Sequence, residues 1–397
     1  MSTLLSSRVA DLLAAHPVID GHNDLLIRMR RLGHYDFDAH EISADRTADG
    51  LHTDIPRIRR GGLGGQFWSV FVPVSLAGES AVTATLEQID AAREMIDRYG
   101  DFRLALTADD IEASLEAGTV ASLLGAEGGH SIGCSLGTLR MMYALGVRYM
   151  TLTHTDNTPW ADSATDDPKV GGLSAFGREV VREMNRLGML VDISHVAATT
   201  MHAALDVSEA PAFFSHSNTL ELCGHPRNVP DDVLRRVGET HGVVMATFVP
   251  GFLTDACREW VDAYHEFQGI SLGDYDSEQR PESEVAQWKA DHPHPGATAS
   301  DVADHIERIR DLAGVDCVGI GGDLDGIGTT PTDIPDVTGY PVVLEELASR
   351  GWSDDDLAKL TCRNVIRVLR DTENVAARAR AQRGPSRQTF AELDQSS

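Results

Sequence analysis

Cysteine is scarce and scattered in this chain, basic residues are heavily outnumbered, and no apolar run is long enough to cross a bilayer. The five cysteines, Cys134, Cys223, Cys257, Cys317 and Cys362, are odd in number and never form a C-x-x-C arrangement. That excludes a zinc knuckle or a redox pair and leaves reduced, mostly buried thiols, as in a cytoplasm. Lys and Arg total 34 against 61 Asp and Glu, a net charge of −27. Such a surface repels phosphate backbones and anionic lipid, so neither nucleic acid nor a membrane is an expected partner. No stretch approaches the roughly 18 apolar residues of a spanning helix. Residues 1–20 lack both an unbroken apolar core and a small-residue cleavage site, and residues 376–397 are rich in Arg, Gln and Ser. No signal peptide or lipid-anchor signal is expected, and the expected setting is cytoplasmic.

What is present suits a globule with a sizeable core: 42% of the 397 residues are hydrophobic and 24% charged. A single α/β barrel with loop insertions reaches this length. Eight short apolar or β-branched runs read as buried parallel strands, at 17–20, 66–74, 121–125, 147–154, 190–195, 210–215, 242–249 and 317–321. Between them lie helical patterns. In 174–187, Phe176, Val180, Val181, Met184 and Leu187 recur at helical spacing before Gly188 stops the run. Further helices are expected at 84–99, 197–205 and 301–312.

Alternating strands and helices point to a parallel sheet, either a closed (β/α)8 TIM barrel or an open doubly wound sheet. The ionisable residues decide for the barrel, whose chemistry comes from the carboxyl ends of several strands. His22 and Asp24 follow the first strand and Glu127 the third; His154 and His195 end the fourth and fifth. His216 follows the sixth strand and Asp323 the eighth. Residues 28–65 and 250–300 read as long insertions on that same face. One domain is expected over residues 1–375, with 376–397 as a C-terminal tail.

His22 and Asp24 stand two apart after a strand, where extended backbone aims both side chains to one side. Alone, that pair fits a surface turn equally well. Glu127, among glycines in Gly125-Ala126-Glu127-Gly128-Gly129, suits a carboxylate that bridges two metals. His195 and His216 offer imidazole, the commonest zinc ligand. Five ligands in this order are what two zinc ions need when water fills the open positions. Ser194 and Ser215, beside those histidines, are not expected to be nucleophiles: no G-x-S-x-G elbow is present, and neighbours on a strand face opposite ways.

Taken in order, D-G-H-N-D, G-x-E-G-G, L-T-H-T-D-N, D-I-S-H, F-S-H-S and G-G-D-L-D-G resemble the renal (membrane) dipeptidase family, peptidase M19, a branch of the amidohydrolase barrels. The resemblance covers about residues 18–367. It implies a binuclear zinc dipeptidase, a metalloprotease with His22 and Asp24 on one Zn2+, His195 and His216 on the other, and Glu127 bridging both. It further implies that His154 polarises the scissile carbonyl and that Arg227 clamps the substrate's terminal carboxylate. Asp323 would handle the proton, with Asp325 as its rival, while a metal-bridging hydroxide attacks the carbonyl. Dipeptides with a C-terminal D-residue would be accepted. Leu324 departs from the Phe that many members carry, which bears on packing beside the carboxylate. The family tends to dimerise, so a homodimer is the assembly that the resemblance implies. Two other readings share the site: hydrolysis of a lactone, cyclic amide or β-lactam on the same metals, and a non-catalytic metal-binding barrel, which predicts a missing ligand or proton carrier.

Overall fold

Short apolar runs between helices have one way to bury both faces, which is to lie side by side in a parallel sheet sheathed by the helices. The computed structural model describes residues 6–270 and 280–395 and shows nine such strands. They are β1 (Val18–Asn23), β2 (Leu63–Ser69), β3 (Phe102–Leu104), β4 (Val120–Glu127), β5 (Val147–Thr151), β6 (Leu190–Asp192), β7 (Phe213–Phe214), β8 (Val243–Ala246) and β9 (Val318–Ile320). The order β2-β1-β9-β8-β7-β6-β5-β4 is closed by a β2–β4 pairing, giving an eight-stranded parallel (β/α)8 barrel. All eight expected strands are in it. β3 was not anticipated: its three residues, too few to show a period, pair with Val120–Ser122 at the start of β4, and β5 pairs further along the same strand.

Strand edges shifted where glycine or a bend hid the pattern. β2 begins at Leu63 rather than 66, because Gly64 and Gly65 lie against the side chains of Pro17 and Ile19, where a Cβ would collide. The helix expected at 84–99 starts earlier, as Glu79–Arg98, and buries Ala81. Ala175–Leu187 matches closely, with Ser174 accepting the Gly177 N–H at one end and Gly188 left-handed at the other.

The barrel interior is filled by a layer in which the rings of Phe67, Tyr149 and Phe213 lie 5.4–5.9 Å apart. This layer continues into Val365, Ile366, Val368 and Leu369 of the helix Asn364–Gln382. The division expected at residue 376 falls inside that helix. Beyond it, Phe390–Asp394 docks against the barrel's outer helices: Phe390 packs edge-on against Phe176, and Asp394 accepts the Ser174 hydroxyl and the Ala175 N–H. An acidic side chain at a helix start satisfies orphan donors there, a contact between distant segments that periodicity does not register. No helix among the described residues is long and apolar enough to cross a membrane.

Candidate active site

Glu127 ends β4 at the carboxyl mouth of the barrel, and its two oxygens face different partners. Oε2 lies 3.3 Å from His22 Nε2 and accepts the Ser69 hydroxyl at 3.1 Å. Oε1 lies 3.1 Å from His195 Nε2, 3.6 Å from His216 Nε2 and 3.7 Å from His154 Nε2. His22 Nε2 is also 3.2 Å from Asp24 Oδ2 and 4.0 Å from Asp323 Oδ1. Four imidazoles, from His22, His154, His195 and His216, therefore converge on one carboxylate, and Asp24 and Asp323 join through His22.

His22 and Glu127 are strand residues, but the backbone that brings several of the others there is not strand. Asp24 sits at the start of the helix Leu25–Gly33, so the turn into that helix, rather than strand alternation, carries it back to His22. His195 and Asp323 have φ of 64° and 59°. Left-handed backbone at such residues costs on the order of 1–3 kcal/mol and persists where surrounding structure enforces it. Gly326 leaves room for the acids, since a Cβ there would meet Asp24 Oδ2 and Asp323 Oδ1 at 2.3 and 2.4 Å.

Electrostatics suit cation binding. Burial alone would raise the Glu127 carboxyl, but His22, His154 and His195 outweigh it and hold Glu127 well below the usual carboxylate range. Burial, reinforced by Arg227 and neighbouring imidazoles, holds His195 and His216 well below the usual histidine value, so both are neutral near pH 7 and keep a lone pair. Burial lowers His154 to about 4. It raises Asp323 well above the ordinary range, and the nearby Asp24 and Glu127 add to this.

One tautomer follows from hydrogen bonding. The Ser215 hydroxyl donates to Asp192 Oδ2 at 2.6 Å, so its oxygen is left to accept from His216 Nδ1–H at 2.7 Å. Neutral His216 then presents a bare Nε2, 2.9 Å from His195 Nε2. Two imidazole nitrogens this close, with Asp24 Oδ1 buried and lacking a partner, fit a nitrogen- and oxygen-binding metal such as zinc. The groups His22–Glu127–His216, Glu127–His154–His195 and His22–Asp24–Asp323 each place their ligand atoms within 4.8 Å.

Distance alone does not separate His154 from the other imidazoles. Its ring stacks on His195 at 4.3 Å and against Phe71 at 4.6 Å, and its side chain is 13% exposed to the cavity against 1% for His216. That orientation fits substrate contact. Between the two acids the structure discriminates clearly: Asp323 joins the His22 cluster, whereas Asp325 Oδ1 accepts the His52 N–H at 2.7 Å.

Above the cluster lies a cavity of about 390 Å³, lined by Asp24, Glu127, His154, His195, Arg227 and Asp323 and walled by residues of both insertions. Arg227, 2% exposed, contacts Ser217 Oγ and the His216 carbonyl at 3.4 and 3.3 Å over the Phe252 ring. Residues 271–279, in the second insertion, lie outside the described residues.

The family model described as Membrane dipeptidase (Peptidase family M19) matches residues 6–383. The chain belongs to the M19 family. Among its M19 relatives, Dipeptidase 3 of Mus musculus is 36% identical over 99% of this chain and 71% of its own length. An uncharacterized dipeptidase of Schizosaccharomyces pombe is 42% identical over 93% of this chain and 84% of its own. A metallo peptidase from Rhodobacter sphaeroides, solved with a phosphinate mimic of L-Ala-D-Ala, superposes with a TM-score of 0.74 at 25% identity, covering 90% of this chain and 99% of that one.

Several residues around this M19 site escaped sequence reasoning. Ser215 was set aside because strand neighbours face opposite ways, yet β7 ends at Phe214, so alternation does not govern Ser215 and His216. Fully buried and committed to Asp192, Ser215 orients a ligand and is no nucleophile. Tyr149, whose hydroxyl is 2.7 Å from His22 Nδ1, reads in sequence as plain core; Gly125 makes room for its ring.

His225 lines the cavity beside Arg227 and gives a pH test. Burial, with Arg227 and Arg258 nearby, lowers it from 6.5 to about 3. The unfolded chain therefore takes the proton first, so this contribution to stability is complete above about pH 6.5 and is lost as pH falls towards 3. Melting temperature from pH 7 to 4.5 is expected to fall less steeply in His225→Gln than in wild type; equal slopes contradict the assignment.

Proposed function

We propose that this M19 chain is a dipeptidase that holds two zinc ions, one between His22 and Asp24 and one between His195 and His216, with Glu127 shared. The observation that carries the reading is the division of Glu127: one oxygen faces His22, the other His195 and His216. Bound there, the metals supply Lewis acidity, which acidifies water and polarises a carbonyl.

The chain's own groups do the rest. The N–H of neutral His154 donates to the scissile carbonyl oxygen as charge develops on it. Asp323, close to His22 and Asp24, takes a proton from the attacking water and passes it to the leaving amine nitrogen. Arg227 binds the substrate's C-terminal carboxylate, which selects dipeptides over longer chains. Acceptance of a C-terminal D-residue belongs to the same reading and is supported by the L-Ala-D-Ala mimic held by the Rhodobacter sphaeroides relative. So does a cytoplasmic setting, which the five free thiols fit.

The test compares kcat/KM for a dipeptide and its C-terminal amide in wild type and Arg227→Ala, alongside zinc content. In wild type the amide is expected to be worse by about 2–5 kcal/mol in transition-state binding, as for other buried charge-assisted contacts. In Arg227→Ala the amide penalty shrinks. An equal penalty in both proteins moves the clamp elsewhere, and absence of dipeptide hydrolysis by zinc-loaded enzyme rejects the reading.

A further inference from the structure

The cavity above Glu127 is less acidic than the chain around it. Among the described residues, Arg28, Arg31, Arg227 and Lys289 line it, against the four acids Asp24, Glu127, Asp323 and Asp325. The whole chain carries 34 basic residues against 61 acidic ones. Three of the four acids, Asp24, Glu127 and Asp323, belong to the cluster assigned to the metals, and bound divalent ions tip the cavity to net positive.

Two of the four cations form no ion pair with a carboxylate of the described residues, although Arg28 is near enough to Asp325 to hold its carboxyl lower than burial alone would. Arginines elsewhere on this acidic surface are typically answered, as Arg350 is by Asp304, Glu307 and Glu346, and Arg370 by Asp109 and Glu112. Arg28, half-buried on Leu25–Gly33, makes a 3.4 Å contact from Nη2 to the Gly50 carbonyl, and among the described residues it has no carboxylate within 4 Å. Lys289 Nζ rests 5.0 Å over the ring of Tyr264, another lining residue, and likewise lacks a carboxylate at that range.

Position separates Arg28 from Arg227. Arg227 follows β7, whereas Arg28 follows β1, and β8 and β9 lie between those strands in the barrel. A dipeptide has one main-chain carboxylate, already assigned to Arg227. Arg28 lines the other wall, where an anionic side chain gains a charge-assisted contact that a neutral one does not.

We propose that the enzyme prefers dipeptides bearing a side-chain carboxylate, which Arg28 binds inside the cavity with Lys289 at its mouth. This rests on the dipeptidase reading. The experiment measures kcat/KM of the zinc-loaded enzyme for the isosteric pairs Glu-Ala and Gln-Ala, and Ala-Glu and Ala-Gln. At least one pair is expected to favour the Glu peptide by about tenfold or more. That ratio should fall towards one in Arg28→Gln, fall in part in Lys289→Met, and persist in Arg28→Lys, with melting temperature and zinc content at wild-type values. Ratios at or below one for both pairs in wild type overturn the proposal whatever the variants do, as do ratios that survive both Arg28→Gln and Lys289→Met. Hydrolysis of the Gln peptides without a Glu preference overturns this inference alone. Failure to hydrolyse any of the four rejects the dipeptidase reading and this inference with it.

Discussion

Glu127→Ala is expected to lower zinc content from two ions per chain to one or fewer and to reduce kcat/KM by about a thousandfold or more. Glu127 is the only carboxylate among the described residues that lies within 4 Å of His22, His154, His195 and His216 together. Removing it leaves the buried imidazoles of His22, His195 and His216, and the partly exposed His154, facing a methyl group and deprives both candidate sites of an anionic ligand at once. A metal at such a site supplies several kcal/mol of transition-state stabilisation, and about 4 kcal/mol is already a thousandfold in rate. Metal analysis after gel filtration and steady-state kinetics on one preparation check both halves. Two zinc ions and near wild-type turnover in Glu127→Ala contradict the shared-ligand assignment.

Asp323→Asn should behave differently, keeping its zinc and losing turnover by about 10²–10⁴-fold, the range for removing a positioned general acid or base. The amide preserves shape and hydrogen bonding but cannot carry a proton. Asp323 reaches the His22–Asp24 group, whereas Asp325 is engaged by the backbone N–H of His52 and returns its own N–H to His52 Nδ1 at 2.9 Å. Asp325→Asn is accordingly expected to lower stability more than it lowers kcat. The reverse outcome, a dead Asp325→Asn and an active Asp323→Asn, exchanges the two roles.

Much of this site is legible in sequence because chemistry and topology coincide: in a barrel, the residue after each strand points at the same mouth. His22, Glu127, His154, His195, His216 and Asp323 could be named from strand ends alone. Less legible were the groups that hold them. Ser215 and Asp192 sit in motifs already singled out, but their bond joins the ends of β6 and β7 and follows no spacing along the chain. Tyr149 gave an apolar signal because most of its ring is core, and only its hydroxyl reaches His22.

By itself the sequence determined the number of barrel strands, the face on which chemistry gathers and the residue types available there. These are local properties, written in period, capping and strand-end position. Tertiary structure alone decided which oxygen of Glu127 faces which imidazole, which nitrogen of His216 is bare, and which of Asp323 and Asp325 joins the cluster. It also decided that residues beyond 376 dock on the barrel and that Arg28 and Lys289 face the cavity. Each of these is a relation between side chains on different strands or loops. Such relations are set by barrel closure, which brings distant segments within hydrogen-bonding range, and no pattern along one segment encodes them.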